Sequence, residues 1–480
     1  MATPTQYISI SVPEFVLDSH PATQLAKHAP WMFNIIFNEI QRQQELILIA
    51  SECYQPEAVL AASGSVLANK YAEGYPKRRY YSGCENIDVS ETAAIENAKI
   101  LWGGKYANVQ PHSGADANNE VYAALSKRRS VILSMSLNHG GHLSHGAEVN
   151  QVSKDYRVIQ YGVNAQGFID FNQVRELAHK YKPAIIVAGG SSYPRAIDYI
   201  KFREIADEVG ARLVSDMAHP AGLIAAGLLP SPIDIADATT STSQKTPLGP
   251  RGGLILSGVH YEDIVRYVKK KGDKKKTPVT LATAIDQSVF PGRQGGPLEH
   301  TIAAKAVAFR LALNKEGTSV GPEYVEHQRR VIENAKLMAQ GFQELEYRVL
   351  TGGTDMHMVL IELPQDISGL AVQRALEQVG ISLNRNAIPD DPKGPYLASG
   401  LRIGSPMITQ RGLSEEAVRE IPGLIDRVIR GTKETQKGKP ELEETVRVSV
   451  SKRVKEITDS APFYWNLVQT MAWIKARNGI

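Results

Sequence analysis

Two separated strings of this sequence end in side chains that could act together on one small molecule. The string "VSDMAH" carries Asp216 and His219, and "TTSTSQK" ends with Lys245. A buried carboxylate can keep a pyridine nitrogen protonated and a lysine amine can bind an aldehyde, so these residue types suit a pyridoxal-type cofactor. An aspartate and a lysine also form ordinary structural ion pairs, and this pair alone does not separate the two alternatives.

Two further strings add possible contacts for such a ligand. In "QPHSGADAN", residues 110–118, small residues precede a helical pattern. Such a turn presents backbone N–H groups and the positive end of a helix dipole, which suits a phosphate, although it could equally be a plain helix cap. In "LNHGGHLSHG" three histidines stand among glycines without an acidic or cysteine ligand. The glycines favour close approach to a flat ligand, and we predict no metal site.

The elements that must position these strings follow an alternating pattern. Between about residues 101 and 258, short apolar runs such as "PAIIVAGG" and "ARLVSDM" alternate with amphipathic runs such as "FNQVRELAHKY". This alternation predicts an α/β layer with a largely parallel sheet. Ligands of such sheets bind beyond the carboxyl ends of the strands, so Asp216 and Lys245 should face one crevice.

The organisation of the whole chain predicts three parts. Residues 1–55 form an N-terminal arm and helix, 56–320 a large cofactor-binding domain, and 321–480 a smaller C-terminal α/β domain. The lysine-rich stretch at residues 269–276 is typical of a solvated surface loop, with attraction of an acidic ligand tail as the alternative.

Composition excludes several function classes. The 480 residues carry a net charge of only +3, which gives no reason to expect a nucleic-acid partner. No apolar run is long enough to predict a membrane span, and no export signal is recognised. Two cysteines, Cys53 and Cys84, are too few for a disulfide framework and favour a reducing compartment. We therefore expect a cytoplasmic protein that acts on small molecules.

Seven strings together resemble the serine hydroxymethyltransferase family, in the same order and from about residue 30 to 430. They are "NKYAEGYPKRRYYSGCE", "YANVQPHSG", "HGGHLSHG", "VSDMAH", "GPRGGLIL", "FPGRQGGP" and "SGLRIGSPMITQRG". The resemblance implies the aspartate-aminotransferase-like fold-type I of pyridoxal 5'-phosphate enzymes, with tetrahydrofolate as co-substrate. It also implies a homodimer, or a dimer of dimers, whose active sites are shared between chains.

The same resemblance implies roles for individual residues. Lys245 matches the Schiff-base lysine, Asp216 the partner of the pyridine nitrogen, and Glu73 the carboxylate that handles protons. The implied catalytic set is Lys245, Glu73, Asp216, His142, Tyr81 and Thr242. The implied cofactor contacts are Ser113, Gly114, Ala115, His142, Ser191, Asp216, His219, Gln244 and Lys245, with Tyr71, Gly295 and Gly296 expected from the neighbouring subunit. The implied substrate contacts are Ser51, Glu73, Tyr81 and Arg402, and the implied folate contacts are Tyr80, Leu137, Gly141, Leu143 and Asn386.

Several positions depart from the family pattern, and most of them lie near the cofactor or its entrance. Gln244 stands where a histidine normally precedes the lysine, and glutamine can donate to a phosphate oxygen but cannot become cationic. Ala115 replaces a usual serine, and Asp116 places an acid where glutamine is common. The other departures are Cys53, Lys77, Pro247, Leu248 and Arg293.

These departures put the amino-acid substrate in question more than the cofactor. The main hypothesis is transfer of a one-carbon unit from serine to tetrahydrofolate, leaving glycine. The alternatives are a hydroxymethyltransferase for α-methylserine and D-alanine, and a folate-independent aldolase or threonine transaldolase. A third hypothesis is a binding or regulatory protein that makes little use of the cofactor. The presence of four residues argues against it: Lys245, Asp216, Glu73 and Arg402.

Overall fold

The computed structural model describes residues 21–269 and 275–480. Most of the lysine-rich stretch at 269–276, and the first twenty residues of the predicted N-terminal arm, lie outside the described residues. Helices and strands alternate over much of the described chain.

The strands, numbered along the chain, are β1 Leu46–Ile47, β2 Gly74–Tyr75, β3 Arg78–Arg79, β4 Tyr106–Asn108, β5 Val131–Met135, β6 Arg157–Tyr161, β7 Ile185–Gly189, β8 Arg212–Asp216, β9 Ala238–Thr242, β10 Gly253–Ser257, β11 Ile264–Val268, β12 Thr277–Thr280, β13 Met358–Glu362, β14 Ile381–Ser382, β15 Asn384–Asn386, β16 Gly400–Gly404, β17 Thr432–Gln436 and β18 Lys439–Leu442.

The α-helices are α1 Pro21–His28, α2 Pro30–Arg42, α3 Glu57–Ser63, α4 Glu85–Trp102, α5 Gly114–Leu125, α6 Gln151–Asp155, α7 Phe171–Tyr181, α8 Tyr199–Val209, α9 Ala221–Ala225, α10 Leu281–Gln287, α11 Glu299–Leu311, α12 Pro322–Glu344, α13 Gly369–Glu377, α14 Gly394–Leu397, α15 Pro406–Gln410, α16 Glu415–Arg430, α17 Glu444–Asp459 and α18 Trp465–Arg477.

The central layer is a seven-stranded sheet with the order β4-β10-β9-β8-β7-β5-β6. Its neighbours pair in parallel from β9 through β6, and β10 alone runs against both of its neighbours. The prediction of an α/β fold with a mostly parallel sheet is confirmed. Because β7, β8 and β9 run in the same direction, their carboxyl ends lie at one edge of the sheet.

Both faces of this sheet are covered, as a parallel sheet requires. Along β7, Ile185 and Val187 pack in one apolar cluster with the α5 residue Val121, whereas Ile186 packs on the other face with Phe202 of α8. Side chains of a strand alternate between faces, so each face receives every second residue of the buried runs. This burial explains why the strands read as continuous apolar segments.

A second core lies in the C-terminal part of the chain. The antiparallel sheet β13-β16-β15 packs with α12, α13 and α16, and apolar residues of these elements form one buried cluster. Strand β1 pairs in parallel with β14, which attaches the segment after α2 to this region. The boundaries predicted at residues 55/56 and 320/321 stay a prediction.

None of the helices in the described ranges combines the length and the apolarity that a bilayer crossing requires.

Candidate functional site

A cavity of about 390 Å³ opens at the carboxyl edge of the central sheet. Strand β8 delivers Asp216 to it, and the turn after β9 delivers Lys245. The cavity brings together twelve of the predicted site residues: Ser51, Ser113, Gly114, Ala115, His142, Ser191, Asp216, His219, Thr242, Gln244, Lys245 and Arg402. Residues up to 351 positions apart in sequence therefore line the same cavity.

The Asp216 carboxylate is buried and holds three hydrogen bonds. Asn118 Nδ2 donates to Oδ2 at 2.8 Å, His145 Nε2 lies 2.9 Å from Oδ2, and the Ala218 N–H donates to Oδ1 at 3.0 Å. Burial by itself would raise the pKa of Asp216, but these hydrogen bonds and the nearby histidines hold it well below its usual value. The carboxylate therefore stays charged inside the protein, where it can face a cationic ring nitrogen.

The position of the His145 proton follows from its other contact. His145 Nδ1 accepts the backbone N–H of His142 at 3.1 Å, so this nitrogen carries no proton. The proton therefore lies on Nε2 and is donated to Asp216. Sequence reasoning noticed His145 among three histidines but gave it no role, and it also missed Asn118. Nothing in the sequence distinguished His145 or Asn118 from the residues around them.

Lys245 is buried beside Thr242. Its Nζ donates to Thr242 Oγ1 at 3.1 Å, and that hydroxyl lies 3.4 Å from the Ala218 carbonyl, which accepts its proton. Burial lowers the pKa of Lys245 to about 8, while the Asp216 charge opposes this shift. A lysine with this pKa reaches its neutral, nucleophilic form at mildly alkaline pH.

Two histidines line the cavity in the neutral state. Burial lowers the pKa of His142 to about 4, and burial with the nearby Lys245 charge holds the pKa of His219 well below its usual value. His142 Nδ1 accepts from both the N–H and the hydroxyl of Ser144. His219 Nδ1 lies 3.2 Å from Nε2 of His357, a buried residue that the sequence did not single out.

Arg402 enters the cavity from β16. Its Nη1 donates to the Ser191 carbonyl at 2.8 Å and its Nη2 donates to Asn384 Oδ1 at 2.9 Å. Its Nε is buried and has no partner among residues 21–269 and 275–480. Burial lowers the pKa of Arg402 to about 10, which leaves it charged at neutral pH. A buried guanidinium without a facing carboxylate is suited to bind the carboxylate of a ligand.

The side chain of Gln244 is oriented by the loop that follows it. Its Oε1 accepts the N–H of Gly252 at 3.3 Å, so its NH₂ group is left to donate into the cavity. Arg251, which sequence reasoning did not select, lines the same cavity.

Six predicted residues form a second cluster that does not line this cavity. A Cβ on Gly296 would lie 2.9 Å from the Tyr71 ring, and one on Gly295 would lie 3.3 Å from Glu73 Oε1. Tyr71 stacks near Tyr81 at 5.2 Å between ring centroids. Tyr80, the sixth member, is 76% exposed. We call Tyr71, Glu73, Tyr80, Tyr81, Gly295 and Gly296 the tyrosine cluster.

The remaining predicted folate residues are Leu137, Gly141 and Leu143, on the segment between β5 and α6, and Asn386, the last residue of strand β15. Gly141 is buried, and a Cβ there would lie 2.2 Å from the Met135 carbonyl, so only glycine fits. Gly140 and Asn386 line one small crevice. Leu143 is 44% exposed and Leu137 is half-buried, so neither is an ordinary core leucine.

No three His, Cys, Asp or Glu side chains converge as a metal site within residues 21–269 and 275–480. The prediction that the site holds no metal stays a prediction.

Comparison with known proteins identifies the family. A family model described as serine hydroxymethyltransferase matches residues 25–425, which is most of the chain. This family consists of fold-type I pyridoxal-phosphate enzymes that act as hydroxymethyltransferases, and the fold described above agrees with it. The chain therefore belongs to the serine hydroxymethyltransferase family.

Proposed function

We propose that this chain transfers the hydroxymethyl carbon of serine to tetrahydrofolate and leaves glycine, with pyridoxal 5'-phosphate as cofactor. The observation that carries the proposal is the convergence of Lys245, Asp216 and Arg402 in one cavity. Lys245 suits the aldehyde of the cofactor, Asp216 suits its ring nitrogen, and Arg402 suits the carboxylate of the amino acid. A binding or regulatory role would not require this combination of buried charges.

The residues of the cavity fit the cofactor. A buried carboxylate with three donors, a lysine amine and two neutral histidine rings suit a flat cationic pyridine, and the start of α5 with the Gln244 NH₂ suits its phosphate. When bound, pyridoxal phosphate supplies an electron sink for the negative charge that develops on the α-carbon of the amino acid.

Each of four residues of the chain would then have its own role in the reaction. Asp216 would hold a negative charge for the ring nitrogen, and Lys245 would supply the amine that binds the cofactor aldehyde. Arg402 orients the amino acid through its carboxylate, using the donor capacity that Ser191 and Asn384 leave. Glu73 takes and returns the proton of the substrate hydroxyl or of the folate.

The tyrosine cluster supports a site shared between two copies of the chain. Glu73 and Tyr71 lie together but apart from the Lys245 cavity, and Tyr71, Tyr80 and Tyr81 are exposed. A group of exposed aromatic side chains is typical of a surface that contacts another chain. We therefore propose that two copies pair so that the tyrosine cluster of one copy completes the cavity of the other.

A product assay tests the reaction. Serine, α-methylserine and threonine are each offered with and without tetrahydrofolate, and the amino-acid products are identified. We expect glycine from serine at a rate that depends on the folate. D-alanine from α-methylserine as the faster reaction would establish the first alternative, and folate-independent cleavage of threonine would establish the aldolase.

Absorbance tests the cofactor separately. The purified protein should show the visible band of lysine-linked pyridoxal, and Lys245→Ala should abolish that band. A wild-type protein that stays colourless after saturation with the cofactor would overturn the proposed function. Glu73→Gln should keep the band and lose folate-dependent turnover.

A further inference from the structure

The phosphate end of the cavity contains an unusual hydrogen-bond arrangement at the start of α5. Ser113 caps this helix, and its Oγ accepts the N–H of Asp116 at 3.1 Å. The same Oγ donates its proton to Asp116 Oδ2 at 2.8 Å. A hydroxyl has one proton, so Ser113 has none left for a ligand while this bond persists.

Apart from Arg251, which also lines the cavity, the neighbouring side chains offer little to replace this donor. Ala115 has no polar side chain, and Gln244 supplies only a neutral NH₂ group. The carboxylate of Asp116 also lies in the first turn of α5, where it offsets the positive helix end that a phosphate would use. Phosphate and Asp116 therefore require the same donors.

A neighbouring residue shows that the Asp116 charge acts over this region. Glu120 lies one turn further along α5 and is fully buried. Burial, followed by the charge of Asp116, raises the pKa of Glu120 to about 8. A second anion near Asp116 is thus disfavoured, and a phosphate placed at Ser113 and Gly114 would be subject to the same repulsion.

We propose that Asp116 competes with the cofactor phosphate for the Ser113 hydroxyl proton and for the start of α5, and so weakens cofactor binding in this chain. The inference rests on the proposed use of pyridoxal phosphate. It assigns to Asp116 a role in setting cofactor affinity through the phosphate alone.

The test measures dissociation constants of the apoprotein for pyridoxal phosphate and for pyridoxal, which lacks the phosphate, by visible absorbance. Asp116→Asn keeps the shape of the side chain and removes its charge. We expect pyridoxal phosphate to bind about tenfold more tightly to Asp116→Asn, with pyridoxal unchanged. Added salt should reduce the difference between the two proteins because it screens the repulsion.

A double-mutant cycle tests the competition for the proton. Ser113→Ala should change phosphate-dependent affinity little in the wild-type background, where the hydroxyl is bound to Asp116. The same substitution in the Asp116→Asn background should remove much of the gained affinity. Asp198→Asn is the matched control, because Asp198 is also an acid at the start of a helix, α8, and does not line the cavity.

The outcomes are distinguishable. Unchanged or weaker binding of pyridoxal phosphate by Asp116→Asn, or equal tightening for both ligands, overturns the inference while the proposed function stands. A wild-type protein that binds neither ligand overturns the proposed function together with this inference. If Asp116→Asn does not fold, as judged from its thermal melting, Asp116→Gln serves as the second neutral variant and must show the same selective tightening.

Discussion

At the scale of single residues, the charge of Asp216 depends on its partners. Its carboxylate is buried, and burial alone would favour the protonated form. Asn118, His145 and the Ala218 N–H reverse that preference by donating three hydrogen bonds. Of these, His145 is fixed as a donor because the His142 N–H occupies its other ring nitrogen. His145 thus positions the Asp216 carboxylate and keeps it charged, and we propose that this charge faces the cofactor.

Replacing His145 should weaken the cofactor contact at the ring nitrogen. His145→Ala removes one of the donors to Asp216, and we expect the affinity for pyridoxal phosphate to fall by about 10- to 100-fold. The affinity for a cofactor analogue in which carbon replaces the ring nitrogen should change little. Absorbance titrations of the apoprotein with both compounds measure this difference, and equal losses for both would contradict the assigned role.

Glu120 leads to a prediction about pH. It is fully buried, and neither carboxylate oxygen has a hydrogen-bond partner in the part of the chain that the structure describes. Its pKa is raised from 4.5 to about 8, first by burial and then by Asp116. The unfolded chain releases this proton near pH 4.5 and the folded chain only near pH 8. Stability contributed by the protonated carboxyl is therefore lost as pH rises through this window.

Glu120→Gln should remove this pH dependence. Relative to the wild type, the variant should gain about 1–3 kcal/mol in free energy of unfolding between pH 5 and pH 8. Urea unfolding at the two pH values measures the change, with Glu85→Gln, an exposed residue of α4, as the control. A difference between variant and wild type that stays constant with pH would show that Glu120 ionises normally.

At the scale of elements, helix α11 holds in place the turn at residues 109–113, which carries the proposed phosphate contact Ser113. Lys305 of α11 is buried, and its Nζ donates to the carbonyls of Val109 at 2.6 Å and of Gly253 at 2.7 Å. The Pro111 carbonyl lies at 3.3 Å from the same nitrogen. One ammonium therefore joins α11, the segment that leads into α5, and the first residue of β10.

Removing this ammonium should loosen the turn. Lys305→Met keeps most of the apolar stem and leaves the carbonyls without their donor, so we expect a loss of about 2–4 kcal/mol in free energy of unfolding. Affinity for pyridoxal phosphate should fall more than affinity for pyridoxal, because this turn carries the proposed phosphate contact Ser113. Unfolding curves and the two titrations check this, and an equal loss for both ligands would indicate a merely structural residue.

At the scale of the whole molecule, the predicted site divides into two places on one chain. The Lys245 cavity holds most of the predicted cofactor-binding groups, and the tyrosine cluster carries Glu73. If two copies pair as proposed, each complete site draws one part from each chain. An isolated copy would then contain no complete site and would be inactive.

Mixing two inactive variants tests this arrangement. Lys245→Ala damages the cavity and Glu73→Gln damages the tyrosine cluster, so a mixed pair retains one intact site. After unfolding and refolding an equal mixture together, we expect activity of about a quarter of the wild-type value, since half of the pairs are mixed and each has one good site. Activity no higher than the sum of the two variants alone would place both parts in the same copy.

Much of the fold followed from local pattern. The buried runs that end at Asp216 and precede Lys245 became β8 and β9, and the amphipathic runs that precede β7 and β8 became α7 and α8. The reversed direction of β10, and the pairing of β1 with β14 across more than three hundred residues, were not predicted. Strand direction and long-range pairing depend on how separate elements pack against each other. Local hydrophobic periodicity does not predict that packing.

The sequence by itself determined the chemistry available to this protein. The strings around Lys245, Asp216, Glu73 and Arg402 are short and local, and side-chain type with family resemblance was enough to select them. The tertiary structure alone decided which of them meet. It joined Lys245, Asp216 and Arg402, set Glu73 apart, paired the Gln244 Oε1 with the Gly252 N–H, and gave the Ser113 proton to Asp116. Distances of a few ångströms and the direction of each hydrogen bond arise from packing between remote segments, so they exist only in the folded chain.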